Sequence, residues 1–411
     1  MDYKIRHIEK KVLSAAKAFK VLLVLGARQV GKSTLLRYLF PDTAMFVFDS
    51  ILDPYKVRTD PDLFLDLHPS PLLLDEVQFA PALLSAIKRR VDLSSEKGCY
   101  FLTGSQNLNM LKTVAETMAG RVALIHMESM SLLERIGLGD QESWLSKYLS
   151  APERFIKEAT CILDNIPPLH EVLWRGSLPQ AVILPRSEIP LFFNSYIQTY
   201  VERDLRLVEK IEDLDRFGAF IALLGALSGQ EINYSQLGRE INITAQTARR
   251  WLFALSASYQ WRDILPLHRN TIKKITEKRK GVLTDSGIAS YLLRIQSPED
   301  LTVHPSLGAI FETWVINHIY QLFSSLTMVP AVYHFRTHAG AEIDLILEMN
   351  GIYFPIEIKC TRNLSSYDLR SFKAFREAYP KNKVAPGLII HAGEENYLLD
   401  RETMALSWKA L

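Results

Sequence analysis

The sequence predicts an α/β protein whose first and largest part is a parallel sheet with a phosphate-binding loop. Three observations predict it. Residues 21–40 read as a buried strand, a glycine loop and a helix. Strand-like and helical stretches then alternate to about residue 215, which is typical of a doubly wound parallel sheet. A shorter α/β pattern follows around a hairpin at 342–359.

Length and composition limit the class of protein. The 411 residues exceed one ordinary core, so we divide the chain into domains at 1–215, 216–297 and 298–411. A net charge of +2 gives no overall attraction to nucleic acid, so any such attraction must be local. The three cysteines are far apart, which predicts no disulfide framework and suits a reducing compartment. Without a signal segment or an apolar run of ~18–20 residues, we expect a cytoplasmic protein with no membrane partner.

The phosphate loop follows the apolar strand Val21 to Leu25. It matches G-x-x-x-x-G-K-[ST] and leads into a helix from Thr34. The glycines let backbone N–H groups point at a phosphate, the lysine reaches the β- and γ-phosphates, and the serine hydroxyl binds Mg²⁺. The alternative is a glycine turn that happens to contain a lysine. We therefore expect ATP and Mg²⁺ at these residues: Gly26, Ala27, Arg28, Gln29, Val30, Gly31, Lys32, Ser33 and Thr34.

Two acids close a later strand of the same sheet. A second strand is predicted at 45–49, and a third at 71–74 ends in Asp75 and Glu76. Asp75 is expected to hold Mg²⁺, and Glu76 to polarise the attacking water as general base. The alternative is that both acids cap a helix that begins near Pro81.

A fourth predicted strand, 99–103, leads to Ser105 and Gln106. In this architecture a polar side chain at that point senses the γ-phosphate, although both residues are also good helix caps. Arg121 precedes a fifth strand at 122–127. It is a candidate arginine finger and hence a catalytic residue, the alternative being an ordinary surface charge.

Four segments, GARQVGKSTLL, LLLDEVQ, FLTGSQN and AGRV, occur in this order. They resemble a prokaryotic branch of AAA+ ATPases whose members carry a C-terminal domain of unknown function. The resemblance implies an AAA+ sheet with the phosphate-loop strand inside it. It also implies that Asp75 and Glu76 are the Walker B pair, that Ser105 lies in the sensor 1 region and that Arg121 is a recurrent arginine.

Residues 128–215 are predicted to be helical, and the resemblance makes them the helical lid. Arg175 and Arg203 lie in two stretches that also resemble the family, and the sequence does not decide whether either reaches nucleotide. Since arginine fingers in such ATPases often act across subunits, a homo-oligomer is expected by analogy.

Residues 216–297 show helix-turn-helix spacing. A short helix at 234–242 is followed by Thr244 as N-cap and a helix at 245–254, and then by a strand pair within 264–283. This predicts a winged helix whose basic wing holds double-stranded DNA. The alternatives are a protein-contact module and a solvated charged face. The wing would carry Arg269, Lys273, Lys274, Lys278, Arg279 and Lys280 against one acid, Glu277.

Residues 298–411 contain a helix at 308–323 and a hairpin with strands at 342–348 and 352–359. Asn350-Gly351 between the strands is the favoured type I′ turn. Counting outward from this turn places Asp344 opposite Glu357 and Glu342 opposite Lys359. Opposed carboxylates repel by up to ~1 kcal/mol. A divalent cation would reverse that sign.

Glu312, Asp344, Glu357 and Lys359 match the E…D…E-x-K pattern, so the domain resembles the restriction-endonuclease-like fold. The resemblance implies Mg²⁺ on Asp344 and Glu357 with help from Glu312. It also implies that Lys359 activates water for phosphodiester cleavage. Glu342 departs from the pattern, because it can neutralise Lys359. The alternatives are a hairpin with surface salt bridges and a decayed nuclease.

The sequence as a whole thus predicts an AAA+ ATPase that hydrolyses ATP with Mg²⁺, using Lys32, Glu76 and Arg121. It predicts coupling of hydrolysis to a C-terminal DNA-contacting or nuclease-like module. Two alternatives stay open: an ATP-regulated, Mg²⁺-dependent DNA endonuclease, and a non-catalytic nucleotide switch that gates a protein partner.

Overall fold

The structure is a computed structural model. It describes residues 3–49, 53, 55–105, 118–158, 161–201, 211, 213–268, 278–337 and 340–411. Some predicted site residues lie outside the described residues, namely Gln106, Arg203, Arg269, Lys273, Lys274 and Glu277.

The N-terminal part is built on a five-stranded parallel sheet. Its strands are β1 (Val21–Leu25), β2 (Ala44–Val47), β3 (Leu72–Asp75), β4 (Tyr100–Gly104) and β5 (Val122–His126). They lie in the order β2-β3-β4-β1-β5, and β1 is fully buried between β4 and β5. The predicted parallel α/β sheet with an interior phosphate-loop strand is confirmed. Because the strands are parallel, their carboxyl ends meet at one edge, where ligands bind in such sheets.

Four helices surround this sheet: α1 (Glu9–Ala18), α2 (Lys32–Leu39), α3 (Pro61–Leu67) and α4 (Pro81–Leu93). A short 3₁₀ turn, Val77–Phe79, separates β3 from α4. Helix α1 begins four residues later than the periodicity predicts. The physical reason lies just before it, where Arg6 and His7 bond to distant parts of the chain instead of continuing a helix.

The segment after β5 is helical, as predicted for its described residues. Its helices are α5 (Leu132–Arg135), α6 (Trp144–Ser150), α7 (Pro152–Phe155), α8 (Leu169–Arg175), α9 (Pro179–Ile183), α10 (Ile189–Tyr196) and α11 (Leu214–Leu227). Helix α10 continues as a π-helical turn, Ile197–Val201. In the part of the chain that the structure describes, no helix has both the length and the apolar character needed to cross a bilayer.

Two helices and three strands follow: β6 (Gln230–Glu231), α12 (Tyr234–Glu240), α13 (Ala245–Ala257), β7 (Trp261–Pro266) and β8 (Lys280–Leu283). The Thr244 hydroxyl accepts a hydrogen bond from the Thr247 N–H at 3.0 Å, which caps α13. Helix α13 buries Trp251 and exposes Arg249 and Arg250. Strands β7 and β8 are antiparallel.

The remaining elements are α14 (Ser286–Leu292), α15 (Pro298–Val303), α16 (Leu307–Leu322), β9 (Ala331–Arg336), β10 (Glu342–Met349), β11 (Ile352–Lys359), α17 (Arg370–Ala378), β12 (Lys383–Val384), β13 (Gly387–His391), β14 (Tyr397–Leu398) and β15 (Thr403–Ser407). Asn350 and Gly351 both have positive φ, 53° and 75°, as a type I′ turn requires. Met349 pairs with Ile352, so the hairpin has the register counted from the sequence.

One sheet joins the two C-terminal parts. Strand β7 pairs in parallel with β9, with Leu265 opposite Tyr333. The second sheet therefore runs continuously from the segment that carries α12 and α13 to β15. Hydrogen-bonded strands cross the predicted boundary at residue 297, and this brings β8 close to α16 and β10.

Candidate functional site

The phosphate loop connects the buried end of β1 to the start of α2. A Cβ at Gly26 would lie 2.2 Å from the Met127 carbonyl oxygen, so only glycine fits there. Gly31 has a φ of +99°, which glycine adopts without strain. The Lys32 ammonium is buried and donates to the carbonyl oxygens of Gly26 (3.0 Å) and Ala27 (2.8 Å). The lysine therefore lies inside the curl of the loop.

A buried arginine supports this loop from outside. The Arg6 guanidinium donates to the Val30 carbonyl oxygen at 2.9 Å and forms an ion pair with Glu134 at 3.1 Å. Nothing in the sequence marks Arg6, because its partners are distant in the chain. Its role is to fix the position of the loop backbone.

Ser33 and Asp75 meet at the carboxyl edge of the sheet. The Ser33 hydroxyl donates to the Asp75 carboxylate at 2.7 Å, and the Thr103 hydroxyl donates to the same oxygen. Hydroxyl and carboxylate oxygens are the ligands that Mg²⁺ prefers, so this pair fits the ion. Mg²⁺ held there would neutralise charge on the β- and γ-phosphates.

Glu76 lies next to this pair in a left-handed backbone conformation with a φ of 57°. Its N–H donates to the Thr103 hydroxyl at 3.1 Å, and its carboxylate accepts from the Ser105 hydroxyl at 3.1 Å. The Gln78 amide also donates to this carboxylate, and Arg28 of the loop lies 3.7 Å away. A residue that several hydrogen bonds hold in a sparsely populated backbone conformation is common at functional sites.

The alternative reading of the two acids as helix caps is not what the structure shows, since no side chain caps α4. Two residues of this site were not predicted from the sequence, Thr103 and Gln78. Strand alternation is the pattern that identifies Thr103, because it places Thr103 and Ser105 on the same face at the end of β4.

The structure does not bring Arg121 to the phosphate loop of its own chain. Val122 pairs with Val21 at the start of β1, whereas the loop follows Leu25. That separation is about 13 Å of strand. Arg121 instead forms an exposed ion pair with Asp92.

Arg175 is likewise engaged elsewhere. Its guanidinium forms an ion pair with Glu171 at 2.6 Å and donates to the Ala181 carbonyl oxygen at 2.9 Å. The second of these contacts joins α8 to α9.

A second cluster of charges lies between β8, α16 and the β10–β11 hairpin, with Lys280 at its centre. The Lys280 side chain is 2% exposed. Its ammonium forms an ion pair with Glu312 and lies 2.7 Å from Asp344 and 3.6 Å from Glu342.

The prediction that Lys280 belongs to an exposed basic wing is therefore wrong. The reason is the pairing of β7 with β9, which turns the start of β8 toward α16. Of its neighbours, Lys278 is exposed and Arg279 pairs with Asp263 at 3.0 Å.

The predicted metal ligands Asp344 and Glu357 are engaged by groups of the chain. The second Asp344 oxygen accepts from the Ile358 N–H at 2.8 Å. One Glu357 oxygen lies 2.7 Å from the Lys359 ammonium, whereas the other is buried and accepts no hydrogen bond from any described residue. Glu342 lies near Lys280 instead of neutralising Lys359.

This arrangement does not fit a metal ion as it stands. Both Asp344 oxygens are already bonded, and an ammonium lies where a cation would bridge Asp344 and Glu312. Across the described ranges, no three His, Cys, Asp or Glu side chains are arranged to hold a metal together.

Burial and neighbouring charges together set the pKa values in this cluster. Burial, assisted by the charge of Asp344, raises the pKa of Glu312 and of Glu357. Burial alone would lower the pKa of Lys280, but the charges of Asp344 and Glu312 outweigh it and raise this pKa. These two carboxylates therefore favour the charged form of Lys280. The cluster opens into a polar cleft of about 850 Å³.

Three family models match successive parts of the chain. Residues 18–136 match an AAA domain. Residues 166–299 and 307–411 match two domains of unknown function, DUF8612 and DUF4143. Residues 18–136 are thus similar to AAA domains, and this match supports a P-loop ATPase fold and ATP binding at the loop.

Two curated relatives are similar along most of the chain. They are the uncharacterized proteins Mb2031c of Mycobacterium bovis and Rv2008c of Mycobacterium tuberculosis. Each is 27% identical over 389 residues, which cover 94% of this chain and 79% of the relative.

Solved structures show weaker likeness. The Walker-type ATPase PABY2304 of Pyrococcus abyssi is 16% identical with a TM-score of 0.41, covering 72% of this chain and 99% of that one. The RuvB Holliday junction branch migration motor of Thermotoga maritima is 15% identical with a TM-score of 0.31, covering 62% and 88%.

Proposed function

We propose that this chain hydrolyses ATP with Mg²⁺ at its phosphate loop and couples the nucleotide state to a C-terminal module that contacts double-stranded DNA without cutting it. The observation that carries the ATPase part is the meeting of Ser33, Asp75, Thr103 and Glu76 at the carboxyl edge of the sheet, beside the loop. The family match of residues 18–136 supports the same part.

The residues divide the chemistry between them. Lys32 and the loop N–H groups bind the β- and γ-phosphates, and Ser33 and Asp75 hold the cation. Glu76 takes the proton of the attacking water as general base. Ser105 and Gln78 orient its carboxylate, while Arg28 pairs with it from the loop. A γ-phosphate on the loop competes for Arg28 and so releases Glu76.

Direct contacts connect the loop to the C-terminal part. The Tyr196 hydroxyl lies 3.5 Å from the Arg28 carbonyl oxygen, and the Gln260 amide donates to this hydroxyl at 3.1 Å. The backbone carbonyl oxygen of Gln260 in turn accepts from the Thr284 N–H at 3.2 Å, just after the end of β8. This series of contacts supports coupling, which is measurable as a nucleotide-dependent change in DNA affinity.

Exposed basic groups on α13 support the DNA contact. Arg249 and Arg250 project from a helix that follows a helix-turn-helix turn, and Lys278 is exposed nearby. Chain groups already neutralise the acids that cleavage would need, which is why we propose contact without cleavage.

Arg121 and Asp92 lie exposed at the other end of the sheet. Because Arg121 cannot reach its own loop, we propose that it acts on the loop of a neighbouring copy in a homo-oligomer.

The ATPase proposal is tested with Lys32→Ala and Glu76→Gln, with exposed Lys17→Ala as matched control. Lys32→Ala should abolish ATP binding. Glu76→Gln should bind ATP normally but lower multiple-turnover hydrolysis by about 100-fold or more, the usual range for a general base. Normal hydrolysis by both variants would refute the site, and single-turnover behaviour of the wild type would favour the non-catalytic switch.

The DNA proposal is tested by duplex binding across a salt series, with and without ATP. Arg249→Ala should reduce the slope of log affinity against log salt by about 0.9, as expected for one lost phosphate contact. The exposed Arg154→Ala is the matched control. Plasmid incubated with Mg²⁺ should stay intact with the wild type and with Asp344→Ala. Cleavage that Asp344→Ala abolishes would make the chain an ATP-regulated endonuclease instead.

A further inference from the structure

The geometry points to Lys280 as a built-in substitute for a divalent cation. Its ammonium lies between the carboxylates of Glu312 and Asp344, in the cleft that Glu357 also lines, and the cluster binds Mn²⁺ or Mg²⁺ only once that ammonium is removed. This inference concerns a latent metal site in the C-terminal part and does not depend on ATP hydrolysis.

Lys280 holds this position firmly. It is one of the largest fully buried side chains among the described residues, and it contacts carboxylates from α16 and from β10 at once. A buried ammonium without partners would be very unfavourable, and so would carboxylates without it. Lysine and acids therefore stabilise one another, as a metal ion and its ligands do.

The lysine comes from a different part of the chain than the acids. Lys280 begins β8, within the segment that matches DUF8612, whereas Glu312 and Asp344 belong to the segment that matches DUF4143. The same neighbourhood is tight, because a Cβ at Gly229 would lie 3.0 Å from a Glu312 oxygen. The ion pairs thus fasten two separate segments at the site where a cation would otherwise bind.

The acids keep the chemistry of a cation site. Carboxylate oxygens are the preferred ligands of Mg²⁺ and Mn²⁺. One Glu357 oxygen is buried and accepts no hydrogen bond from the described part of the chain, although Glu357 lines the same cleft as Asp344 and Glu312. This oxygen is a potential ligand atom that neither Lys280 nor Lys359 pairs with. Removing Lys280 would leave Glu312 and Asp344 without their cation. These carboxylates would then have to shift to share a small divalent cation with the buried Glu357 oxygen.

The experiment measures Mn²⁺ binding to the full chain by electron paramagnetic resonance, without nucleotide. The variants are Lys280→Met, which keeps the length of the side chain, and the exposed Lys278→Met as matched control. Asp344→Asn, in each background, identifies binding at the cluster. We expect no Asp344-dependent Mn²⁺ binding by the wild type or Lys278→Met. Lys280→Met should bind Mn²⁺ at least about tenfold more tightly, and Asp344→Asn should abolish the gain.

Two results would overturn the inference: Asp344-dependent Mn²⁺ binding by the wild type, or a folded Lys280→Met that binds no better than Lys278→Met. If Lys280→Met does not fold, Lys280→Met/Glu312→Gln removes one charge of each sign and keeps Asp344 and Glu357 as ligands. This double variant should bind Mn²⁺ more tightly than Glu312→Gln alone. Equal Mn²⁺ binding by the double variant and Glu312→Gln would overturn the inference as well. The Mn²⁺ measurement on the wild type tests the inference whether or not the variants fold.

Discussion

Thr103 is the residue whose replacement tests the nucleotide site most directly. It is fully buried, its hydroxyl donates to Asp75, and it accepts from the Glu76 N–H at 3.1 Å. Thr103→Val keeps the shape but removes both bonds. Losing the bond to a charged carboxylate costs about 1.5–3 kcal/mol, and an unpaired buried N–H costs about 1–3 kcal/mol. We therefore expect a loss of roughly 2.5–6 kcal/mol in the free energy of unfolding, the sum of the two costs.

The effect on activity follows from the position of Thr103, which bonds to both Asp75 and Glu76. Both acids lose the group that holds them, and a misplacement of about 1 Å lowers turnover by about 100-fold. Thr103→Ser is the control, because it keeps the hydroxyl and loses only a methyl group, worth about 1 kcal/mol. Urea unfolding and ATP turnover are measured on both variants, with Mg²⁺-free ADP binding as the check on the loop. Equal turnover by Thr103→Val and Thr103→Ser would refute this role for Thr103.

Three further predictions concern other parts of the chain. Gly176→Ala should lower the free energy of unfolding by roughly 2–5 kcal/mol in urea, since its φ is +70° and the new Cβ would lie 2.0 Å from Asp285. Burial raises the pKa of Asp285 from 3.8 to about 6, so the folded state holds this proton more tightly than the unfolded state. Stability should then fall by ~3 kcal/mol as pH rises from about 3 to about 7, most of it between the two pKa values, and Asp285→Asn should remove this part of the pH profile of unfolding. Arg121→Ala should lose turnover alone and regain it when mixed with Lys32→Ala, because mixed oligomers combine an intact loop with an intact arginine; no recovery would contradict action between copies.

The nucleotide site could be predicted from the sequence because its parts follow local rules. A loop of fixed spacing between a strand and a helix, and acids at the end of a parallel strand, need no knowledge of distant contacts. The same local rules could have predicted Thr103, since strand alternation places it on the same face as Ser105. Local rules could not predict the role of Arg6, because its partners, Val30 and Glu134, lie elsewhere in the chain.

The C-terminal cluster shows where local reasoning fails. The hairpin register follows from one Asn-Gly turn, and the structure has that register. The environment of Lys280 instead depends on β7 pairing with β9, a contact between strands about 70 residues apart along the chain. A run of basic residues therefore predicted a solvent-facing wing, although one of its lysines lies buried among acids.

Strand β8 links the two sites, and this has a thermodynamic consequence. Lys280 begins this four-residue strand, and Thr284, just after it, bonds to Gln260, which contacts Tyr196 beside the phosphate loop. If ATP moves this strand, then by reciprocity an ion that binds in place of Lys280 must change ATP affinity by the same factor by which ATP changes ion affinity. In Lys280→Met, Mn²⁺ affinity measured with and without ATP, and ATP affinity measured with and without cluster-bound Mn²⁺, should therefore shift equally. Equal shifts that Tyr196→Phe reduces would identify the contact series as the route of coupling, whereas affinities that do not respond to one another would show that β8 only holds the two parts together.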